Sequence, residues 1–111
     1  MNKEQIFAAL APSVHVQPVK ALGGKHLRFR ELSGAERESF SRSMGEDYSQ
    51  ARFLALAVVA TVVDEADTPI FTTDDIDAVK AISAPALEEI AAIALRVNKM
   101  GFEAEADAAK N

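Results

Sequence analysis

Hydrophobic residues are densest in the middle of the chain, where residues 53–63 carry no charged side chain and are followed by the polar segment 64–68 and Pro69. A segment that is apolar on every side must be enclosed by the rest of the molecule. It is shorter than the roughly 18 residues expected of a membrane-spanning helix. Its valines favour a strand locally, whereas its length and its alanines favour a helix. We predict a central helix that begins at Asp47 or Ser49 and ends at Val63, inside a small soluble domain.

A β-hairpin is predicted for residues 14–32, where apolar and polar side chains alternate on both sides of Gly23 and Gly24. Two glycines tolerate the positive φ angles of a tight hairpin turn. A turn centred on them pairs Pro18 with Phe29, so that one face packs on helices and the other meets solvent. This register predicts a packed face of Val14, Val16, Pro18, Leu27 and Phe29 and a basic outer face of His15, Gln17, His26, Arg28 and Arg30.

Four further helices are predicted from local start and stop signals. Ser33 and Glu36 have the spacing of a capping box for a helix that reaches Met44, with Gly45 as its C-cap. A short leading helix is predicted over residues 2–10. The other two helices begin at Thr72 or Thr73 and at Ser83, and their predicted inner residues are Ile76, Val79 and Ile82 in the first and Leu87, Ile90, Ala91, Ala94 and Val97 in the second.

The order of these elements predicts the α+β class, with an N-terminal β-hairpin packed on a small, mainly helical body of four to five helices. One domain is predicted over residues 1–102, since a chain of 111 residues fits a single core. Residues 103–111 are acidic and rich in alanine, and we expect this C-terminal tail to be frayed.

Composition removes several classes of function. The chain has no cysteine, which excludes disulfides, thiolate metal sites and thiol nucleophiles. The net charge of −5 disfavours a general nucleic-acid-binding protein. The charge is uneven, since residues 1–63 hold eight basic and six acidic side chains, whereas residues 64–111 hold four basic and eleven acidic ones. This asymmetry fits either solvated faces with an acidic tail or head-to-tail attraction between copies.

No catalytic, cofactor or metal site is predicted. In the predicted hairpin His15 and His26 lie roughly 20 Å apart, too far to share one ion. The acidic loop 64–68 lacks the spacing of a calcium loop. Asp74, Asp75 and Asp77 are accounted for by their position at the start of a helix.

Two sets of residues are candidates for binding a partner. Arg28 and Arg30, with Lys20 and Lys25 nearby, form a small basic patch that suits an acidic protein surface, or nucleic acid as an alternative. An apolar groove with adaptable side chains would suit a helical partner. The residues predicted to line it are Phe40, Met44, Ile70, Phe71, Met100 and Phe102.

The order of the parts resembles the tail assembly chaperones of long-tailed bacteriophages. Three stretches carry the resemblance: the hairpin VKALGGKHLRFREL running into SGAER, the segment VVDEADTPIFT that closes the central helix, and SAPALE leading into a helix that ends near Asn98. Together they span most of residues 14–98. The Gly-bearing turn usual in that family after Val-Asp-Glu is replaced here by Ala66, Asp67 and Thr68.

The resemblance implies a non-enzymatic protein without a cofactor that works in the cytoplasm of a bacterial host. Such chaperones self-associate in a spiral or ring, hold the tape measure protein, and leave when tail tube protein assembles. The resemblance transfers no residue role. Two other functions stay open from the sequence: another structural or adaptor protein of a phage, and a small nucleic-acid-binding regulator that uses the basic hairpin face.

Overall fold

The computed structural model describes residues 1–46 and 49–100, and these residues form both helices and strands. They confirm the predicted α+β class. The helices are α1 (Lys3–Ala9), α2 (Gly34–Met44), α3 (Gln50–Thr61), α4 (Ile76–Lys80) and α5 (Ala84–Val97), and the strands are β1 (Val14–Pro18), β2 (His26–Arg30) and β3 (Val62–Val63). Two short 3₁₀ turns, Lys20–Leu22 and Thr73–Asp75, lie between them.

The apolar segment in the middle of the chain is the central helix α3, as predicted. Ser49 is its N-cap, and the Ser49 hydroxyl accepts a hydrogen bond from the backbone N–H of Arg52. The buried residues of α3 are Ala55, Leu56, Ala57, Val58, Val59 and Thr61. Helices α2, α4 and α5 all pack against it. Enclosure on several sides explains why this helix has no polar face.

The predicted end of the central helix at Val63 is wrong. The helix ends at Thr61, and Val62 and Val63 form strand β3, which pairs antiparallel with β2. Val62 lies opposite Phe29, and Val63 lies opposite Arg28. Two β-branched residues at the end of a helix adopt the extended conformation readily, and here the edge of β2 supplies their backbone partners.

The sheet has the order β1-β2-β3, and the predicted hairpin register is wrong. Pro18 pairs with His26 rather than with Phe29. The reason is a longer turn, in which the 3₁₀ turn Lys20–Leu22 precedes Gly23 and Gly24 at φ angles of 67° and 88°. The turn closes with two hydrogen bonds, from Val19 N–H to the Lys25 carbonyl and from Gly24 N–H to the Val19 carbonyl, both at 2.9 Å.

In the observed register the side chains of β1 lie on the faces opposite to those predicted, whereas the side chains of β2 lie on their predicted faces. Directly opposed residues of an antiparallel pair lie on the same face of the sheet. The inner face, against the helices, therefore carries His15, Gln17, Leu27, Phe29 and Val62, and the outer face carries Val14, Val16, Pro18, His26, Arg28, Arg30 and Val63. The apolar residues of β1 thus lie on the outer face, which the sequence pattern assigned to polar side chains.

Local start signals predict most of the helix ends correctly. Ser33 and Glu36 form the predicted capping box, Gly45 is the C-cap of α2, and Ser83 caps α5. Thr72 caps the 3₁₀ turn that leads into α4. The prediction that Ile82 is an inner residue is wrong, since Ile82 is 40% exposed. Helix α4 ends at Lys80, so Ile82 does not continue the buried face of Ile76 and Val79.

Polar side chains tie the sheet to the helices. The Asn98 Oδ1 atom accepts from Leu32 N–H at 2.8 Å, and its Nδ2 group donates to the Arg30 and Ala94 carbonyls. The Glu89 carboxylate on α5 accepts from the Lys20 and Ala21 N–H groups at 2.6 and 3.0 Å. These bonds satisfy backbone groups at element ends, where the regular ladder stops.

The Ser33–Glu36 capping box predicts a pH-dependent contribution to stability. The Ser33 N–H donates to the Glu36 carboxylate at 2.8 Å, and this bond is the main reason why the pKa of Glu36 lies below its usual 4.5; the Arg30 guanidinium adds to the effect. We expect Glu36→Gln to lower the free energy of unfolding at pH 7 by about 0.5–1 kcal/mol, a small value because solvent screens the pair.

A lowered folded-state pKa stabilises the fold above the unfolded value and loses that effect as the pH falls through the folded value. The difference between the wild type and Glu36→Gln should therefore shrink as urea unfolding is repeated from about pH 6 down to about pH 3. Glu38→Gln, exposed on the same helix, is the matched control and should change little. A constant difference across that range would contradict the assignment.

Candidate functional site

Two of the eight residues predicted to bind a partner come together on the outer face of the sheet. Arg28 and Ile70 line the same shallow, open cleft of about 870 Å³. The cleft lies between β1–β2 and the loop that follows β3, and the other residues that line it are Val16, His26, Leu27, Val63, Asp64, Glu65 and Ala66. Val16 and Ile70 are each about half exposed, so the cleft presents apolar side chains to the outside.

The loop that forms one wall of the cleft is held by its own hydrogen bonds. The Asp64 carboxylate accepts from the N–H groups of Ala66 and Thr68 at 2.8 and 3.0 Å. Asp67 has a φ of 63°, a left-handed conformation that aspartate tolerates better than most side chains. Ile70 N–H donates to the Val62 carbonyl, which returns the chain to the sheet. The wall is therefore built in advance of any binding event.

Arg28 ties this loop to the sheet. Its Nε donates to the Asp64 carbonyl at 3.1 Å, and its Nη2 pairs with the Asp67 carboxylate. Asp64 and Glu65 both line the cleft, so acidic side chains outnumber the arginine there. The cleft is lined by apolar side chains and by two carboxylates against one arginine, rather than by the basic side chains that the hairpin pattern predicted.

Arg30 is also committed to contacts within the chain. Its Nε donates to the Ala60 carbonyl at 2.8 Å, and its Nη1 pairs with the Glu36 carboxylate at 2.6 Å. A cation beside the last carbonyls of α3 is favoured by the helix dipole. Since Arg28 and Arg30 are both paired with carboxylates, these two arginines offer little free positive charge to a nucleic acid.

The remaining predicted residues lie elsewhere. Phe40 and Met44 are buried in the core. The Phe40 ring packs edge-to-face against the Phe53 ring, with 5.9 Å between the ring centroids. Phe71 and Met100 are partly buried against the core. Phe102 and the tail 103–111 lie outside the described residues. A role for these five residues in binding stays a prediction, and the structure does not bring Phe40 and Met44 to the surface of the cleft.

Helix α1 presents a second apolar surface that the sequence pattern did not assign to any partner. None of its residues is buried, and within the described chain none belongs to the core or packs against it. Phe7 is 68% and Leu10 is 76% exposed, and Ile6 is partly exposed beside them. The helix is nevertheless well formed, since Asn2 and Gln5 make a reciprocal capping box. A formed helix with an uncovered apolar face is typical of an interaction surface.

Ser13, His15 and Glu31 are also close together, but they are not arranged as a nucleophile–base–carboxylate triad. The His15 Nε2 atom lies 2.8 Å from the Glu31 carboxylate and 3.3 Å from the Ser13 hydroxyl. A nucleophile and an orienting carboxylate would have to contact opposite ring nitrogens. Both contacts here involve Nε2, and the hydrogen bond from His15 is the main cause of the lowered pKa of Glu31. The cluster pins the start of β1 to the end of β2.

Metal-binding clusters and membrane-spanning helices are both absent from the described part of the chain. Within residues 1–46 and 49–100, no group of three or more His, Asp or Glu side chains is arranged to hold a metal ion. Over the same ranges, no helix combines the length and the apolar character needed to cross a bilayer.

Comparison with solved structures finds a fold similar to that of one phage tail assembly chaperone. A similar solved structure is that of the bacteriophage HK97 tail assembly chaperone, with a TM-score of 0.57 and 20% sequence identity over 86% of this chain and 98% of that one. The fold is therefore shared over nearly the whole length of the HK97 protein. No family model and no curated protein matches the sequence.

Proposed function

We propose that this chain is a non-enzymatic tail assembly chaperone of a long-tailed bacteriophage or prophage, which self-associates and binds the tape measure protein during tail construction. The observation that carries the proposal is the shared fold with the HK97 tail assembly chaperone, which extends over 98% of that protein. The three sequence stretches within residues 14–98 resemble the same class of protein. Fold and sequence pattern therefore support one function.

The surfaces of the chain support a binding role. Two apolar surfaces, on α1 and in the outer cleft, are exposed on a folded domain. The eight predicted residues remain the proposed partner contacts, and Arg28 and Ile70 among them line the cleft. A chaperone that binds and releases its partner in the host cytoplasm needs no cofactor, and tail tube protein is the proposed trigger for release.

The proposal is tested by producing the chain together with the tape measure protein encoded in the same phage genome. We expect the tape measure protein to move from the insoluble to the soluble fraction and to co-purify with the chain. The matched control replaces the chain with an unrelated acidic protein of similar size. A tape measure protein that stays insoluble, or that is equally soluble with the control, would contradict the proposal.

The same preparation also tests the nucleic-acid-binding alternative. A titration of labelled duplex DNA and single-stranded RNA at low salt should show no binding at micromolar protein, because Arg28 and Arg30 are already paired with Asp67 and Glu36. Salt-dependent binding that is lost in a charge-reversal variant of Lys20 and Lys25 would favour the regulator instead.

A further inference from the structure

Helix α1 is held away from the body of its own chain by the segment that follows it. Pro12 fixes its own φ angle and restricts Ala11 to extended conformations. Ser13 is bonded on both sides to Glu31, with Ser13 N–H donating to the Glu31 carboxylate at 3.1 Å and Glu31 N–H donating to the Ser13 carbonyl at 2.8 Å. The connection is therefore short and pinned at its end, and the apolar face of α1 stays uncovered.

The exposed face of α1 combines apolar side chains with one positive charge. Residues three and four apart share a face of a helix, which puts Lys3 on the same stripe as Ile6, Phe7 and Leu10. Glu4 lies to the side of this stripe. Ile6, Phe7 and Leu10 are 41%, 68% and 76% exposed, and contiguous apolar patches on the surface of a monomer often serve in binding.

The outer cleft has the complementary character. Its lining includes the half-exposed Val16 and Ile70 and the acidic side chains of Asp64 and Glu65. An apolar helix face with a lysine at its leading end matches a cleft lined by apolar and acidic residues, both in hydrophobicity and in charge. The apolar face of α1 and the outer cleft are different surfaces of the same chain, so every copy carries both.

We infer that α1 of one copy docks into the outer cleft of a second copy of this chain, with Phe7 and Leu10 against Val16 and Ile70 and Lys3 beside Asp64 and Glu65. This inference rests on the proposed self-association and names its contact surfaces. The contact is heterologous, because two different surfaces meet, and repeated heterologous contacts give a ring or an open helical string. Its area is modest, so assembly should depend on concentration in the micromolar range and weaken as salt rises.

The test measures the oligomeric state by light scattering coupled to gel filtration, across a range of protein and salt concentrations. Phe7→Glu should weaken association about 30-fold, the effect of losing a central apolar anchor. Ala8→Glu adds the same charge to the opposite side of α1 and is the matched control. In the cleft, Ile70→Glu should weaken association similarly, whereas Ile82→Glu, at a comparably exposed isoleucine that does not line the cleft, should not.

Mixing the two defective variants separates a heterologous contact from a symmetric one. Phe7→Glu keeps an intact cleft, and Ile70→Glu keeps an intact α1. Each should be monomeric alone, and the mixture should form a dimer that grows no further. A mixture that stays monomeric, or association that Phe7→Glu leaves unchanged, would overturn the inference.

A cross-link provides a measurement that does not depend on loss of binding. Since the chain contains no cysteine, Phe7→Cys and Ile70→Cys introduce single thiols. Oxidation of the mixed variants should give a disulfide-linked pair of two different copies, whereas Ala8→Cys with Ile70→Cys should give far less. Equal yields from the two mixtures would overturn the inference.

The outcomes also distinguish this inference from the proposed function. A wild-type chain that stays monomeric at high concentration and low salt would overturn both the docking and the proposed self-association. Oligomers that survive Phe7→Glu would overturn only the docking of α1. If Phe7→Glu abolished solubilisation of the tape measure protein while the oligomer persisted, α1 would be a contact for that protein, and the docking would again be overturned.

Discussion

Replacing Phe29 by alanine is expected to lower the free energy of unfolding by about 4 kcal/mol, a large part of the total stability of a domain of this size. Phe29 is completely inaccessible to solvent and lies in the middle strand of the sheet. Removing its ring takes away the largest fully buried side chain of the described residues and leaves a cavity. Urea unfolding followed by far-UV circular dichroism measures the change.

The cost should be large because the site cannot collapse. Phe29 is held on both sides by strand pairing, opposite His15 in β1 and opposite Val62 in β3. Its backbone is therefore fixed from two directions, and the helices beneath the sheet are fixed by their own packing. A cavity whose walls cannot move costs more than one that can be filled by relaxation.

Phe7→Ala provides the matched control for this prediction. It removes the same ring from a residue that is 68% exposed on α1, so the stability of the monomer should change by less than about 0.5 kcal/mol. A loss of stability as large as that of Phe29→Ala would show that α1 is part of the core. An unchanged stability in Phe29→Ala would show that the sheet does not pack on the helices as described.

The sequence predicted the elements of this fold better than it predicted their pairing. Helix starts depend on a few neighbouring residues, so Ser33 with Glu36, and Ser83, could be read directly. The hairpin register depends on the full length of its turn. The 3₁₀ turn before Gly23 and Gly24 adds residues that leave no sign in the alternation of polar and apolar positions.

The wrong register also led to a wrong prediction of the surface around Arg28. With β1 turned over, Val16 joins Arg28 on the outer face instead of packing inward, and an apolar cleft appears where a basic face was predicted. The acids that pair with the two arginines could not be foreseen. Asp67 is brought to Arg28 by β3, and β3 itself depends on a tertiary pairing of two valines. Long-range pairing of this kind is not encoded in a local pattern.

The apolar candidates Phe40 and Met44 illustrate a further limit. Their spacing predicts one face of a helix, but it does not say whether that face meets the core of the same chain or a partner. The structure buries both in the core. By contrast, the apolar face of α1 was visible in the sequence and could equally have packed inward. Only the contacts of the folded chain distinguish the two cases.

Replacing Ala91 by leucine is expected to lower the free energy of unfolding by about 3 kcal/mol, through overpacking where α5 crosses α3. Ala91 is completely buried on α5, which packs against α3, and Ala55 on α3 and Ala94 on α5 are buried as well. Small side chains allow packed helices to approach closely, and we expect these alanines to set the spacing of this pair. Three extra carbons have no space there, so the helices must separate and lose contacts along the whole crossing. Thermal and urea unfolding report the change.

Ala92→Leu makes the same change one position further along α5, on its exposed side. Leucine and alanine are both good helix formers, so this control should alter stability by less than about 0.5 kcal/mol. Equal effects of the two variants would mean that the α3–α5 crossing has room for larger side chains. In that case the distance between α3 and α5 would not depend on small residues, and the enclosure of α3 would need another explanation.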